Sequence, residues 1–178
     1  MRTTLIQLLC SGLLLSGGLA CAEKTASPPA QTERGDREFL DKALGVNQLE
    51  LQLGQLAAER GTAADVKAMG KKMVEKHTEL GKQLAALAQA SGTPALSAEQ
   101  RATYERVAAK SGAAFDATFK DVVDAGHVKE LAMYRDEVAR AKSTALRELV
   151  QKRVAKLEET VAQAKTPAKP KSEPTQDW

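Results

Sequence analysis

Apolar residues recur every three or four positions between residues 36 and 165, and this spacing constrains the fold most. Because an α-helix turns once in 3.6 residues, the repeat places the apolar side chains on one face of each helix. Aromatic residues make up only 3% of the sequence. Ala, Leu, Glu, Lys and Arg dominate instead, and they favour helices over strands. The pattern predicts an all-α domain over residues 36–165, which is long enough for one core.

Breaks in this repeat predict four long amphipathic helices and one short helix. The first ends at Gly61, which we expect to be left-handed, and Thr62 is expected to cap the second. Ser97 begins a capping box that starts the short helix. A break near Ser143 separates the last two helices, because one helix over residues 112–165 would be about 80 Å long. Two hairpins joined by a long connection containing the short helix match the ferritin-like four-helix bundle.

The N-terminal segment has the three parts of a secretory signal peptide. It begins with a positive charge at Arg2, and an apolar run follows from Leu5 to Leu15. That run is too short to cross a bilayer of about 30 Å as a helix. Small residues come next, as they do before a cleavage site. We therefore expect residues 1–21 to be a signal peptide for export from a bacterial cytoplasm.

Two cleavage sites are possible at the end of this segment. Residues 18–21, Gly-Leu-Ala-Cys, resemble a bacterial lipobox, whereas residues 20–22, Ala-Cys-Ala, would release a soluble periplasmic protein. Cys10 lies inside the signal, so Cys21 would be alone in the mature chain and without a disulfide partner. We therefore favour a lipoprotein anchored to the membrane through Cys21. The residue that follows Cys21 is Ala22. Because this position is not Asp, the sequence resembles the sorting pattern of outer-membrane lipoproteins, and we expect the domain to face the periplasm.

Two segments that flank the predicted domain contain few apolar residues. Residues 22–35 include two adjacent prolines, and residues 166–178 include three prolines among Lys, Ser and Thr. Such segments bury too little surface to offset the entropy of ordering, so we expect a disordered tether and a disordered tail. The net charge is only +3. We find no basic patch with interleaved aromatic residues, which argues against nucleic-acid binding.

The chain has two histidines, His77 and His127, and each lies on the apolar face near the middle of a long predicted helix. Glu50 holds a similar position in the first helix, and Asp124 lies one turn before His127. Two imidazoles with one or two carboxylates can hold zinc or non-haem iron. A ferritin-like di-iron site also needs Glu three residues before each His, and Val74 stands in that place before His77. The sequence therefore leaves two interpretations, a protein without a cofactor or one that binds a single transition metal through these four residues.

The interpretation that we favour from the sequence is a buried polar pair without metal. A histidine on an apolar face is usually satisfied by a hydrogen bond within the core. His77 with Glu50, or His127 with Asp124, would fix the register of the helices. Glu130 and its charged neighbours are expected to form a solvated face. We find no catalytic set, so we expect an envelope binding or interaction module rather than an enzyme, with a metal-binding protein or metal-dependent enzyme as the alternative.

Several stretches of the predicted domain share the helix-surface pattern of one bacterial family. They are residues 36–40, 49–59, 66–80 and 111–116, and Met-Val-Glu-Lys-His-Thr at 73–78 is the most telling part. With the helix that bears His127, they resemble the exported proteins of the domain of unknown function 4142 family. The resemblance covers residues 36–164 and implies a ferritin-like four-helix fold in the cell envelope, with no agreed activity. One departure lies at residues 124–127, where Gly126 is a poor helix former.

Overall fold

The computed structural model describes residues 34–165, which form five helices and no strand. The predicted all-α class is therefore confirmed. The predicted signal peptide and tail lie outside the described residues, as does the predicted tether up to residue 33, while its last two residues begin the first helix. The helices are α1 (Arg34–Arg60), α2 (Ala64–Ala88), α3 (Ala98–Ala108), α4 (Gly112–Val138) and α5 (Thr144–Lys165).

Two helix boundaries predicted from the sequence are present in the structure. Ser97 and Gln100 form the capping box of α3, in which each side chain accepts a hydrogen bond from the backbone N–H of the other. The last two helices are separated around Ser143, between Val138 and Thr144. Within residues 34–165, no helix combines the length and the apolar character needed to cross a membrane.

The helices form two hairpins. In the first, α1 and α2 are joined by residues 61–63 and pack closely along each other. A Cβ atom on Gly70 would lie 2.5 Å from the backbone nitrogen of Ala58 and 2.6 Å from the carbonyl oxygen of Gly54. Because no side chain fits at such distances, glycine at position 70 allows the two backbones to approach. In the second hairpin, α4 and α5 are joined by residues 139–143.

The apolar core is divided into two clusters. One joins the start of α1 and the end of α2 to the end of α4 and to α5, and in it the rings of Phe39 and Tyr134 meet edge to face at 5.1 Å. The other joins the end of α1 and the start of α2 to α3 and the start of α4, where Phe115 and Phe119 stack. On α1, α2 and α4, the members of the two clusters lie on either side of buried polar residues. Polar groups therefore occupy the middle of the domain.

The turn between α1 and α2 is closed by an aspartate from the other hairpin. The Asp116 carboxylate accepts hydrogen bonds from the backbone N–H of Thr62 at 3.0 Å, from that of Ala63 at 2.8 Å, and from the Thr62 hydroxyl. Asp116 thus supplies the cap of α2, and the predicted capping role of Thr62 is wrong. Gly61 is not left-handed as predicted. A Cβ atom there would lie 2.7 Å from the carbonyl oxygen of Ala57, so close packing requires the glycine.

The turn between α4 and α5 is closed in the same way, by an aspartate of α1. The carboxylate of Asp36, which is 1% exposed, accepts the backbone N–H groups of Lys142 at 2.9 Å and Ser143 at 2.8 Å. Asp36 and Asp116 are 80 positions apart, and the two capped pairs of turn residues are separated by the same number. The two hairpins therefore hold each other through equivalent contacts.

We predict that Asp36→Ala lowers the free energy of unfolding by about 1–2 kcal/mol, because two backbone N–H groups at the start of α5 lose their acceptor. The matched control is Asp41→Ala, since Asp41 is exposed on the same helix. Urea unfolding followed by circular dichroism measures both variants. Equal midpoints for the two variants would contradict the capping role.

Candidate metal centre

Each of the four long helices places polar side chains at the middle of the domain. Glu50 of α1 and His77 of α2 are 4% and 3% exposed, and His127 and Glu130 of α4 are 7% and 3% exposed. Arg153 of α5 reaches the same place and contacts both glutamates. These residues face inward because they stand three or four positions from apolar neighbours on the same helix face. The middle of the domain is therefore a buried cluster of titratable groups.

The Glu50 carboxylate lies between the two imidazole rings. Its Oε2 is 3.3 Å from Nε2 of His77, and its Oε1 is 3.8 Å from Nε2 of His127. Neither contact has the geometry of a hydrogen bond, so both oxygens are buried without a hydrogen-bond partner in the described part of the chain. One donor atom from each of the three residues lies within 4.8 Å of the other two. Buried polar atoms in proteins nearly always have a hydrogen-bond partner, so we expect the Glu50 carboxyl group to bind a further partner.

Asn47 determines which nitrogen of His77 carries the lone pair. Its Nδ2 donates to the backbone carbonyl oxygen of His77 at 3.0 Å, so its Oδ1 is the atom that lies 3.1 Å from Nδ1 of the ring. Because an amide oxygen only accepts hydrogen bonds, Nδ1 carries the hydrogen and Nε2 carries the lone pair. Nε2 is also the nitrogen that faces Glu50. Histidines that bind metals have this arrangement, in which a partner on one nitrogen orients the other.

Glu130 forms a bidentate ion pair with Arg153. Nε and Nη2 of the arginine donate to the two carboxylate oxygens at 2.9 and 2.8 Å, and Nη2 also lies 3.8 Å from Oε2 of Glu50. The prediction that Glu130 belongs to a solvated face is therefore wrong. The sequence around Glu130 is rich in charged residues, which is typical of a solvated face, but the Glu130 side chain faces the guanidinium of Arg153 on another helix. Because the pair satisfies Glu130, Glu50 is the acidic residue of the cluster that lacks hydrogen bonds to the residues the structure describes.

Burial determines the protonation of the cluster. Burial lowers the pKa of His77 to about 3 and that of His127 to about 4. The positive charge of Arg153 is the second cause of both shifts. Burial and the neighbouring Glu130 raise the pKa of Glu50 well above its ordinary value, while Arg153 opposes this. At neutral pH both imidazoles are uncharged, which is the form that binds a metal. A metal that bound Glu50 would displace its proton.

The structure brings together three of the four residues that the sequence identifies as candidates for one site. Glu50, His77 and His127 meet, whereas Asp124 is exposed and lies outside the group. His77 contacts Glu50, as one prediction had it, and His127 also contacts Glu50 rather than Asp124. Glu130 is not among the four candidate residues that the sequence indicates. The separation of 80 positions would have identified it, because Glu130 stands at the position equivalent to Glu50.

The fold and the centre define an all-helical protein with a buried histidine–carboxylate cluster. A family model described as a domain of unknown function, DUF4142, matches residues 21–166. The chain therefore belongs to this family, as its helix-surface patterns implied. No curated protein and no solved structure matches the chain significantly. The family description assigns no activity.

We predict that the metal-free protein loses stability as the pH falls from 7 towards 4. Histidine ordinarily has a pKa of 6.5, whereas His77 and His127 have values of about 3 and about 4 in the folded protein. Between these values and 6.5 the unfolded chain binds more protons, so lowering the pH favours unfolding. Glu50 acts in the opposite direction, because its raised pKa stabilises the folded state at low pH and less so as the pH rises.

Comparison with the double variant His77→Gln/His127→Gln isolates the contribution of the histidines, because the chain contains no others. We expect its urea midpoint to fall less between pH 7 and pH 4 than that of the unchanged protein. Both proteins retain Glu50, Glu130 and Arg153, so the remaining pH dependence comes from the other titratable groups. Identical pH dependence in the two proteins would show that the histidines are not buried in their neutral forms.

Proposed function

We propose that this chain is an exported protein of the bacterial cell envelope that binds one transition metal ion through Glu50, His77 and His127. The observation that carries the proposal is the buried carboxyl group of Glu50, which has no hydrogen-bond partner within residues 34–165 and lies between two uncharged imidazoles. Two histidines and one carboxylate form a donor set that zinc and non-haem iron use. The alternative is an interaction module in which His77 and Glu50 are only a structural pair, and it predicts no metal binding.

The distances support the proposed donor set. Ligand atoms lie about 2.0–2.2 Å from zinc, so neighbouring donors of a tetrahedral site are about 3.4 Å apart. Oε2 of Glu50 lies 3.3 Å from Nε2 of His77, which is close to that value, and the other oxygen, Oε1, lies 3.8 Å from Nε2 of His127. The donor atoms furthest apart lie within 4.8 Å, and rotation of side chains would bring them to the required distance. Three protein ligands would leave a position open for water or another small ligand.

Arg153 favours one metal ion over two. A ferritin-like di-iron site takes a glutamate from each of two helices and a Glu-x-x-His motif from each of the other two. Glu50 and Glu130 are in the positions of the single glutamates, but Glu130 is held by Arg153. Val74 replaces the glutamate of the motif that ends at His77. The guanidinium thus supplies a fixed positive charge where a second metal would supply one.

The same cluster supports a ferritin-like four-helix bundle as the arrangement of α1, α2, α4 and α5. Each of these helices contributes a side chain to one centre, as the helices of such bundles do. The connection from α2 to α4 contains α3, so it is much longer than the turns within the two hairpins. A single long crossover of this kind distinguishes ferritin-like folds from bundles with short loops throughout.

Metal binding is tested on the purified chain without an added histidine tag. We expect elemental analysis after incubation with Co²⁺ or Zn²⁺ and gel filtration to give about one metal ion per chain. His77→Gln and His127→Gln should each raise the dissociation constant on the order of 100-fold or more, because each removes one of three protein ligands. Cobalt also gives a visible absorption spectrum that reports its coordination geometry.

Asp124→Asn is the matched control, because Asp124 is an exposed carboxylate one turn from His127. It should bind cobalt as the unchanged protein does. If the unchanged protein binds no cobalt, zinc or iron at micromolar concentrations, the metal proposal is wrong and the structural pair remains. Equal loss of binding in Asp124→Asn would place the site elsewhere.

The proposed export rests on the sequence of residues 1–21, with the envelope membrane reached through a lipid at Cys21. We predict that Cys21→Ser abolishes lipid labelling and frees the protein into the periplasm, because the sulfur is the proposed attachment atom. Radioactive palmitate labelling and fractionation of a bacterial host test this. A Cys21→Ser protein that is still membrane-bound and unchanged in mass would exclude the lipoprotein and favour the soluble periplasmic alternative or another anchor.

A further inference from the structure

A small cavity of about 250 Å³ lies between α4 and the last turns of α5, and His127 lines it. The residue as a whole is 7% exposed and its side chain is 9% exposed, so the accessible part of His127 is the imidazole. The cavity therefore connects the ring of a proposed metal ligand with the surface of the domain. Its walls are apolar and are formed by Ala125, Val128, Val161 and Ala164.

The ring of His127 is both accessible and free of hydrogen bonds. Neither of its nitrogens has a hydrogen-bond partner within residues 34–165, whereas Nδ1 of His77 is held by Asn47 at 3.1 Å. Both oxygens of Glu50 are fully buried. Among the three proposed ligands, His127 is therefore the one that an ion arriving from the surface meets first.

Negative charge prevails at the outer end of this cavity. Asp124, which is exposed on α4, lines it together with Lys165 at the end of α5. Partial burial and the neighbouring Asp121 raise the pKa of Asp124, so a second carboxylate acts at the same place. Lys120, which opposes this shift, is paired with Asp65 at 2.8 Å. The two aspartates exceed the charge of Lys165 by one, and such an excess attracts cations.

Other approaches to the buried cluster are less suited to a cation. A cavity between α1, α3 and α4 borders Glu50, but both oxygens of that residue are fully buried. The exposed charged residues around its opening are two cations and one acid, namely Arg106, Lys129 and Glu99. A further cavity, between α1 and α2, borders His77, and the other charged residue that lines it is Lys82. Both openings therefore repel a metal ion, whereas the opening between α4 and α5 attracts it.

We propose that a divalent transition metal ion enters the buried centre through the cavity between α4 and α5, where Asp124 attracts it and the His127 imidazole receives it. This route rests on the proposed metal centre and adds the path by which the ion arrives. Glu50 and His77 then complete the ligand set, and the ion displaces the proton of Glu50. Asp124 stays outside this set, so it affects how fast the ion enters and leaves but not how tightly it is held.

Removing the charge of Asp124 should slow entry. We expect Asp124→Asn to lower the association rate constant of Co²⁺ about threefold or more at low ionic strength, because electrostatic attraction raises association rates. The difference should largely disappear at about 1 M salt, which screens charges over about 3 Å. The dissociation rate should fall by the same factor, which leaves the dissociation constant unchanged. Stopped-flow absorption measures both rates, and the control is Asp136→Asn, an exposed acid near the other end of α4.

Closing the cavity tests the route independently of charge. Ala164→Trp should lower both rates about tenfold or more, because the indole fills the space beside His127 and entry then requires local opening of the domain. The dissociation constant should again stay unchanged, since the three ligands are untouched. The control is Gln163→Trp, which places the same ring at an exposed neighbouring position that does not line the cavity. Equal rates in the two Trp variants would overturn the route.

A measurement without metal tests whether the cavity gives access to His127. Diethyl pyrocarbonate modifies accessible, uncharged imidazoles, and mass spectrometry of peptides locates the modification. In the full chain treated with a chelator, we expect His127 to be modified before His77. Ala164→Trp should protect His127, whereas Gln163→Trp should not. Faster modification of His77, or an unprotected His127 in Ala164→Trp, would exclude this path.

The route and the metal centre fail in distinguishable ways. Cobalt binding with the same rates in the unchanged protein, Asp124→Asn and Ala164→Trp would eliminate the route and leave the metal centre intact. A chain that binds no cobalt, zinc or iron would eliminate both. Slower entry in the two variants at an unchanged dissociation constant would support both.

Discussion

A glutamate–arginine pair buried among four helices is the interaction on which the arrangement of this domain depends. Glu130 and Arg153 satisfy each other through two hydrogen bonds. Removing either partner of such a pair typically costs about 3–5 kcal/mol, because the remaining charge is buried without compensation. This requirement fixes α4 against α5, and the contact of Arg153 with Glu50 extends the constraint to α1. The two apolar clusters then fill the ends of the domain on either side of the polar middle.

The polar middle is costly for a protein that only needs to fold. Apolar side chains of similar volume often give equal or greater stability than a buried ion pair. Here the Glu50 oxygens and the Tyr134 hydroxyl are buried without hydrogen bonds in the described part of the chain. Unsatisfied groups of this kind are rare in proteins, and they concentrate where a ligand or an ion completes the site.

Local and distant interactions determine how much of this molecule its sequence could predict. The apolar spacing predicted five helices and placed Glu50, His77 and His127 inward, because helical periodicity is a local property. It misplaced Glu130, since a charge that faces solvent and one that faces Arg153 have the same local pattern. It also assigned the cap of α2 to Thr62, whereas the acceptor is 54 residues further along the chain. Recognising the two equivalent halves would have linked Glu50 to Glu130, but pairing with Arg153 depends on packing that no local pattern contains.

The reciprocal aspartate caps also influence the order in which the chain folds. The hydrogen bonds of Asp36 connect residues 106 and 107 positions apart, and the backbone bonds of Asp116 connect residues 54 and 53 apart. Contacts between such distant residues form late, because the intervening chain must first lose its freedom, whereas each hairpin closes over a short turn. The hydrogen bonds that the two aspartates accept from the turns therefore form only when the two halves meet. The amide hydrogens of Thr62, Ala63, Lys142 and Ser143 thus report the docking of the halves, and their exchange with solvent slows only when the whole domain has assembled.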